Sequence, residues 1–213
     1  LFCNVPASKV SLGTGKESPS WVPQYRVPAH LVKIVDHQVE RWLTDNVIEP
    51  TTPSCSWNSP LLVVKKGPKA ETDYRVCLDV RHLNLKLEDD KHEMPLLRSL
   101  LDKAADSKFF SSLDLKQSYH QFEILAKDRV KTSFSWFGSQ FMFKGAPFGI
   151  KTLTAIFQRV MMQLFYKLNF VICFVDDILV YSKTEEEHIK HLKEVISILT
   201  SANLTLNPTK CHF

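Results

Sequence analysis

Apolar residues recur at helical spacing in three stretches of the chain and gather into short runs elsewhere. Leu31, Ile34, Val35, Val39, Trp42 and Leu43 mark an amphipathic helix from Pro28 to about Asn46. A second helix is predicted from about Leu153 to Leu168, with Ile156, Val160, Leu164 and Leu168 on one stripe. A third runs from about Glu185 to Ser201, with Ile189, Leu192, Val195, Ile196 and Leu199 facing inward, and a shorter one from about Leu96 to Lys103. "LLVVKK" (61–66) and "YRVCLDV" (74–80), joined by the polar turn "GPKAETD", predict a hairpin. Further strands are expected in "KFFSSLDL", on both sides of a Phe137-Gly138-Ser139 turn, in "NFVICFVDDILVYSK" (169–183) as a hairpin, and in "LTLN". Residues 1–27 are rich in Ser, Pro, Gly and Lys and read as a loose lead-in, and "RHLNLKLEDDKHEMP" as irregular, charged chain. Helices and strands mix without regular βαβ alternation, which predicts an α+β fold.

Composition narrows this picture only slightly. The 213 residues are 44% hydrophobic and 23% charged, an ordinary globular balance. Five cysteines without CxxC spacing point to reduced intracellular thiols rather than a disulfide framework or zinc site. No apolar run reaches the ~18 residues of a membrane span. A net charge of +4 permits a polyanionic partner without requiring one. The chain starts on Leu and stops at "NPTKCHF", so it is expected to be a piece of a longer polypeptide.

Two adjacent carboxylates, Asp176 and Asp177, interrupt the apolar run of the last hairpin. They read either as turn residues or as functional groups, because a desolvated, unpaired charge is costly. Tight hairpin turns favour Gly or Asn, and "FVDDI" has neither, which suggests a strained turn. A third carboxylate, Asp114, ends the strand "FFSSLD", where it serves as a helix N-cap or as a partner of the pair. If the two strands are neighbours, Asp114 and Asp176 share an edge and repel unless a cation neutralises them. Mg²⁺ is held by one or two carboxylates with phosphates completing its shell, and paired ions suit displacement at phosphorus. The constellation suggests phosphoryl or nucleotidyl transfer.

"VIEPTTPSCSWNSPLLVVKKG", "YRVCLDVRHLN", "SSLDLKQSYHQFEI", "APFGI", "FVDDILVYSK" and "EEHIKHLKEV" occur in this order across about residues 25–213. The series resembles the reverse transcriptases of gypsy-type LTR retrotransposons. The resemblance implies a right-hand polymerase with an antiparallel palm sheet backed by helices. It makes residues 28–106 mostly fingers and 107–213 mostly palm, interleaved around 122–148, with the chain stopping before the primer grip and thumb. It implies that Asp114, Asp176 and Asp177 are catalytic and bind two Mg²⁺ ions, for which Mn²⁺ substitutes. By the same resemblance Lys65 or Lys66 and Arg75 hold the dNTP triphosphate, and Tyr119 lies under the incoming sugar and excludes a 2′-OH. Pro147, Phe148 and Gly149 fall near the nascent base pair and Gln158 near the template. The implied partners are an RNA or DNA template with its primer, dNTPs, and downstream thumb and ribonuclease H domains of one polyprotein. No membrane is implied, and the expected location is a cytoplasmic virus-like particle.

The chain departs from the family pattern at "TLT" (152–154), Ser118, Leu85 and the acidic "EDDKHEMP". Two rivals remain at this stage. An RNA-dependent RNA polymerase is disfavoured by the bulk of Tyr119. A decayed or domesticated domain, binding only nucleic acid or a partner chain, is disfavoured by three clustered carboxylates that repel phosphate. His188 and His191 sit one turn apart but lack a third zinc ligand, so they read as a solvated helix face. Trp57 and Trp136 read as buried rather than base-stacking. Without a thumb the grip on duplex phosphates weakens. Residues 1–213 alone are expected to extend a primed RNA template poorly, and robust synthesis by them in a primer-extension assay would refute this.

Overall fold

A computed structural model describes residues 2–52, 54–67, 73–91 and 97–213. Residues 68–72 of the expected hairpin turn and residues 92–96, which include the expected start of the short helix, lie outside them. The elements begin with a 3₁₀ turn Pro6–Ser8, α1 Ala29–Thr44, β1 Ile48–Pro50, β2 Leu61–Lys65, β3 Tyr74–Leu78 and α2 Arg81–Lys86. There follow α3 Leu97–Leu101, β4 Phe109–Asp114, a 3₁₀ turn Ser118–Gln121, α4 Ala126–Arg129, β5 Phe134–Trp136 and β6 Ser139–Phe143. The last are α5 Leu153–Phe165, β7 Val171–Phe174, β8 Asp177–Ser182 and α6 Glu185–Ser201. All strand pairs in the three sheets are antiparallel, so the class is α+β. The chain divides into two compact units, the first made of residues 1–9, 90–122 and 152–213, the second of 10–89 and 123–151.

The first unit is built on the sheet β4-β8-β7. Leu113, Ile178 and Val180 are buried on one face of its strands and Ile172 on the other, and Phe157, Val160 and Met161 of α5 are fully enclosed. Apolar burial of this kind contributes about 25 cal/mol per Å² removed from water. Helix α6 starts on Thr184, whose hydroxyl accepts a hydrogen bond from the Glu187 N–H at 3.3 Å. Three glutamates in its first turn suit the positive end of the helix dipole. The segment 205–212 runs beside β4: Ser112 and His212 exchange backbone bonds of 2.8 and 2.9 Å, and Leu115 bridges Leu206. "LTLN" is therefore a bridge at Leu206 rather than the continuous strand its alternation predicts.

The second unit holds the sheet β1-β6-β5 and the hairpin β2-β3. The α1 stripe is Leu31, Val35, Val39 and Trp42, all buried. Trp42 sets its ring edge-on to Phe143 at 5.1 Å and Phe134 at 6.1 Å, the geometry favoured by aromatic quadrupoles. Arg129 ties α4 to Glu49 of β1 at 2.9 Å and to Glu123 at 2.7 Å.

Three expectations are corrected. The lead-in is not loose: Cys3, Val10 and Leu12 are buried, the Cys3 N–H donates to the Gln121 carbonyl, and the Leu12 N–H donates to buried Asp128 at 3.0 Å. Its backbone donors are satisfied individually, so no periodicity announces it. "RHLNLK" is helix α2, anchored by buried Leu83, despite its charge. On α6 the inward stripe is His188, Val195 and Leu199, while Ile189 and Ile196 are 48% and 38% exposed. His188 is chosen because Ser111 of β4 and Ser182 of β8 offer it a polar seat, with Nε2 2.7 Å from one hydroxyl and Nδ1 2.9 Å from the other. His191 also faces inward, stacked on Phe170 with ring centroids 3.6 Å apart.

Two consequences are measurable. Burial, and after it the His191 charge, holds His188 below its ordinary imidazole pKa. The unfolded chain takes that proton near pH 6.5, so the folded state loses stability as pH falls below about 6.5. Denaturation midpoints of the parent and His188→Gln should therefore differ more at about pH 7 than at about pH 5. Trp42→Ala should cost about 3–5 kcal/mol of unfolding free energy, read from denaturant melts.

Candidate active site

The register Phe174↔Asp177 leaves Val175 and Asp176 as a two-residue turn between β7 and β8. Such turns fit the twist of a hairpin only with a left-handed first residue. Val175 supplies it at φ 54°, a conformation in which a β-branched side chain is an outlier, costing about 1–3 kcal/mol. The turn is held from behind by α5. Gln158, fully buried, accepts the Val175 N–H on Oε1 at 2.7 Å and donates from Nε2 to the Cys173 carbonyl at 3.0 Å. Its amide is thus enclosed and spent on the hairpin.

Asp114 ends β4 directly opposite Asp177, the first residue of β8. The sharing of an edge holds, with Asp177 rather than Asp176 as the cross-strand partner. Asp177 is exposed, and with Asp114, Thr209, Lys210 and His212 it lines a shallow cavity. Lys210 Nζ stands 3.7 Å from Asp114 Oδ2 in a solvent-exposed pair, an attraction that salt screens readily. Asp176 is half-buried in the turn. Burial raises its carboxyl above the usual range, hydrogen bonds from the Ser118 and Tyr119 hydroxyls oppose this, and the charges of Asp177 and Asp114 add to the rise. Its Oδ1 is buried without a hydrogen-bond partner.

Tyr119 follows a left-handed Gln117 (φ 49°) that turns the chain out of β4. The ring is 8% exposed and meets Phe157 edge-on at 5.4 Å. Desolvation and then the Asp176 charge push its hydroxyl up to about 12, against a hydrogen bond from Thr154. The departure at "TLT" therefore gives the tyrosine a polar partner on α5.

Among the described residues, no three His, Cys, Asp or Glu side chains form a group able to enclose a metal ion. Magnesium does not demand one, because one or two carboxylates with water and phosphate oxygens suffice. Three carboxylates at one end of a sheet, one with an orphaned buried oxygen, fit such an ion.

In the second unit, strand alternation puts Arg75 on the same hairpin face as Val64, and Lys65 with Tyr74 on the other. Lys66 is paired with Asp73 at 2.7 Å, with both side chains well exposed. The Arg75 guanidinium stands 5.9 Å from the centre of the exposed Phe148 ring, within cation–π range. Pro147 is buried. Gly149 has a φ of 99°, which L side chains rarely adopt, and a Cβ there would make a tight 3.1 Å contact with Val80 Cγ2. Asn84 then fixes this loop, donating to the Gly149 carbonyl at 2.8 Å and accepting the Lys151 N–H at 2.9 Å. Sequence reasoning missed Asn84, although its short amide one turn into a helix was the available sign. Two acids of the acidic stretch have partners: Asp89 pairs with Lys151 in this unit, and Asp90 with Arg159 in the first.

The family model described as reverse transcriptase (RNA-dependent DNA polymerase) matches residues 64–213. The Drosophila melanogaster retrovirus-related Pol polyproteins from transposons opus and gypsy are each 33% identical to the chain, over 211 and 212 residues. Both alignments cover 97% of the chain, which spans 21% and 20% of those relatives. A Schizosaccharomyces pombe transposon Tf2-3 polyprotein is 32% identical over 196 residues, 90% of this chain and 14% of that one. Among solved structures, the foamy viral protease-reverse transcriptase with RNA/DNA hybrid superposes on the whole chain with TM-score 0.88 at 23% identity, over 28% of its own length. The foamy viral protease-reverse transcriptase dRH in complex with double-stranded DNA gives 0.89 at 23% identity over 36% of its length. The shared fold, the matched family and the ordered relatives agree: this chain belongs to the reverse transcriptase (RNA-dependent DNA polymerase) family.

Proposed function

We propose that the chain is the fingers and palm portion of an RNA-directed DNA polymerase within a retrotransposon Pol polyprotein. The first unit serves as palm and the second as fingers. The observation that carries the reading is the cross-strand pairing of Asp114 with Asp177, next to a strained turn that presents Asp176. Asp114, Asp176 and Asp177 would hold two divalent cations, with magnesium favoured by their oxygen-only donors. Bound there, such ions supply charge neutralisation for a primer 3′-hydroxyl and for the leaving pyrophosphate.

The chain's own groups do the positioning. The Tyr119 ring is packed by Phe157 and tied by its hydroxyl to Asp176, so it offers a rigid wall to the sugar of a dNTP. Arg75 brings a planar fork suited to phosphate oxygens, and Lys65 or Lys66 a point charge. Between the two lysines, strand alternation favours Lys66 as the companion of Arg75, with the exposed Asp73 pair exchanged for phosphate. Pro147, Phe148 and Gly149 bound the nascent pair in this reading. The foamy viral protein has been solved with RNA/DNA hybrid and with double-stranded DNA, which supports a primed template as the partner.

Primer extension on an RNA template, by the polypeptide with its natural downstream sequence, tests the proposal. Mg²⁺-dependent incorporation of dNTPs is expected. Asp176→Asn should lower kcat by about a thousandfold, the equivalent of ~4 kcal/mol of lost transition-state stabilisation, and preserved activity would overturn the site. Tyr119→Ala should raise incorporation of ribonucleotides relative to dNTPs by about tenfold or more, measured as a ratio of kcat/KM values. An unchanged ratio would remove the tyrosine from sugar selection.

A further inference from the structure

We infer that Gln158 is a positioning residue of the polymerase reaction: its buried amide locks the left-handed Val175 turn and so fixes where Asp176 and Asp177 stand. The inference rests on the polymerase reading above for its kinetic consequence, but its structural half stands apart. A two-residue hairpin with valine first is unfavourable by itself, since only glycine enters that region without conflict at Cβ. Something outside the hairpin has to select it.

Gln158 is placed to do so. Its side chain is completely enclosed on α5, and a primary amide carries a donor and an acceptor side by side. One amide therefore takes both the Val175 N–H at 2.7 Å and the Cys173 carbonyl at 3.0 Å, the two groups on either side of Phe174. Phe174 is the residue that faces Asp177 across the hairpin, so the clamp fixes the last rung before the carboxylates. No other protein-coded side chain of this length carries both functions in every protonation state: Glu donates only while protonated, and Met offers no donor and only a weak sulfur acceptor. The helix bearing the clamp is anchored by Phe157, Val160 and Met161, all without exposure, so the turn is referred to a rigid element rather than to a loop.

Enclosure also separates this role from a template contact. A group touching template or dNTP would change the affinity for them. A group that only aims carboxylates changes turnover and metal response.

The test uses the polypeptide with its natural downstream sequence, as parent, Gln158→Met, Gln158→Glu, and Gln158→Met combined with Val175→Gly. Expected for Gln158→Met is a kcat lower by about tenfold to a hundredfold, with KM for dNTP and primer–template affinity within about threefold of parent. The Mg²⁺ concentration for half-maximal rate should rise. Gln158→Glu, which keeps the acceptor and carries a donor only while protonated, should fall between and lose more rate at high pH than at low pH, and it stands in if the methionine variant does not fold. Val175→Gly should recover most of the loss in the Gln158→Met background, because glycine holds the turn unaided. Peptide-resolved hydrogen exchange should show faster exchange over residues 173–177 in Gln158→Met and partial recovery in the double variant. Unchanged kcat, a loss residing in KM or template affinity, or failure of glycine to rescue would each overturn the inference. If the parent does not polymerise, the polymerase reading falls, and exchange over 173–177 still decides whether the amide is a clamp.

Discussion

Strand register is the constraint on which the site depends. Side chains alternate across a sheet, so a slip of one residue between β4 and β8 would send Asp114 and Asp177 to opposite faces. The register is fixed by what the rest of each strand buries. Leu113, Ile178 and Val180 are fully enclosed, and Ser111 and Ser182 are both committed to the His188 ring. A shift would expose the first group and strand the second. The carboxylates need no attraction of their own to meet. They meet because apolar residues and a histidine seat elsewhere leave the strands one alignment.

This division of labour makes charge crowding tolerable. Three carboxylates at one sheet end repel each other, and a surface cation such as Lys210 offsets little of it. Neutral groups carry the local order: the hydroxyls of Ser118 and Tyr119 on Asp176, and the Gln158 amide behind Val175. The same device recurs in the second unit, where the Asn84 amide holds the loop at Gly149 and Lys151. Amides suit the task because they satisfy backbone donors and acceptors without adding to the field.

The long elements were legible because each buries a periodic stripe: α1 through Leu31, Val35, Val39 and Trp42, and α5 through Ile156 and Val160. The strain of the Asp-Asp turn was also readable, since "FVDDI" lacks the residues a tight hairpin prefers, and Val175 is indeed left-handed. The nearness of Asp114 to the pair was readable only by assuming that their strands are neighbours. Polar seats were hidden. His188 and His191 looked solvated because their partners, Ser111, Ser182 and Phe170, lie far away in sequence or have no periodic signature. The amide clamps were hidden for the same reason: a Gln on an apolar helix does not announce which carbonyl it will meet. The lead-in escaped because scattered acceptors receive it, the Asp128 carboxylate from Ser11 and Leu12 and the Gln121 carbonyl from Cys3.

The segment 205–212 along β4 has a bearing on how the molecule behaves in company. A strand with unsatisfied amides along one flank is a template for foreign strands, and one that ends in an acidic cluster could not be blunted by apolar cover without burying the acids. Here the flank is occupied by backbone from the same chain, at Ser112 and Leu115, on the side away from β8. The acidic end stays open to solvent while the strand bearing Asp114 is denied to aggregation.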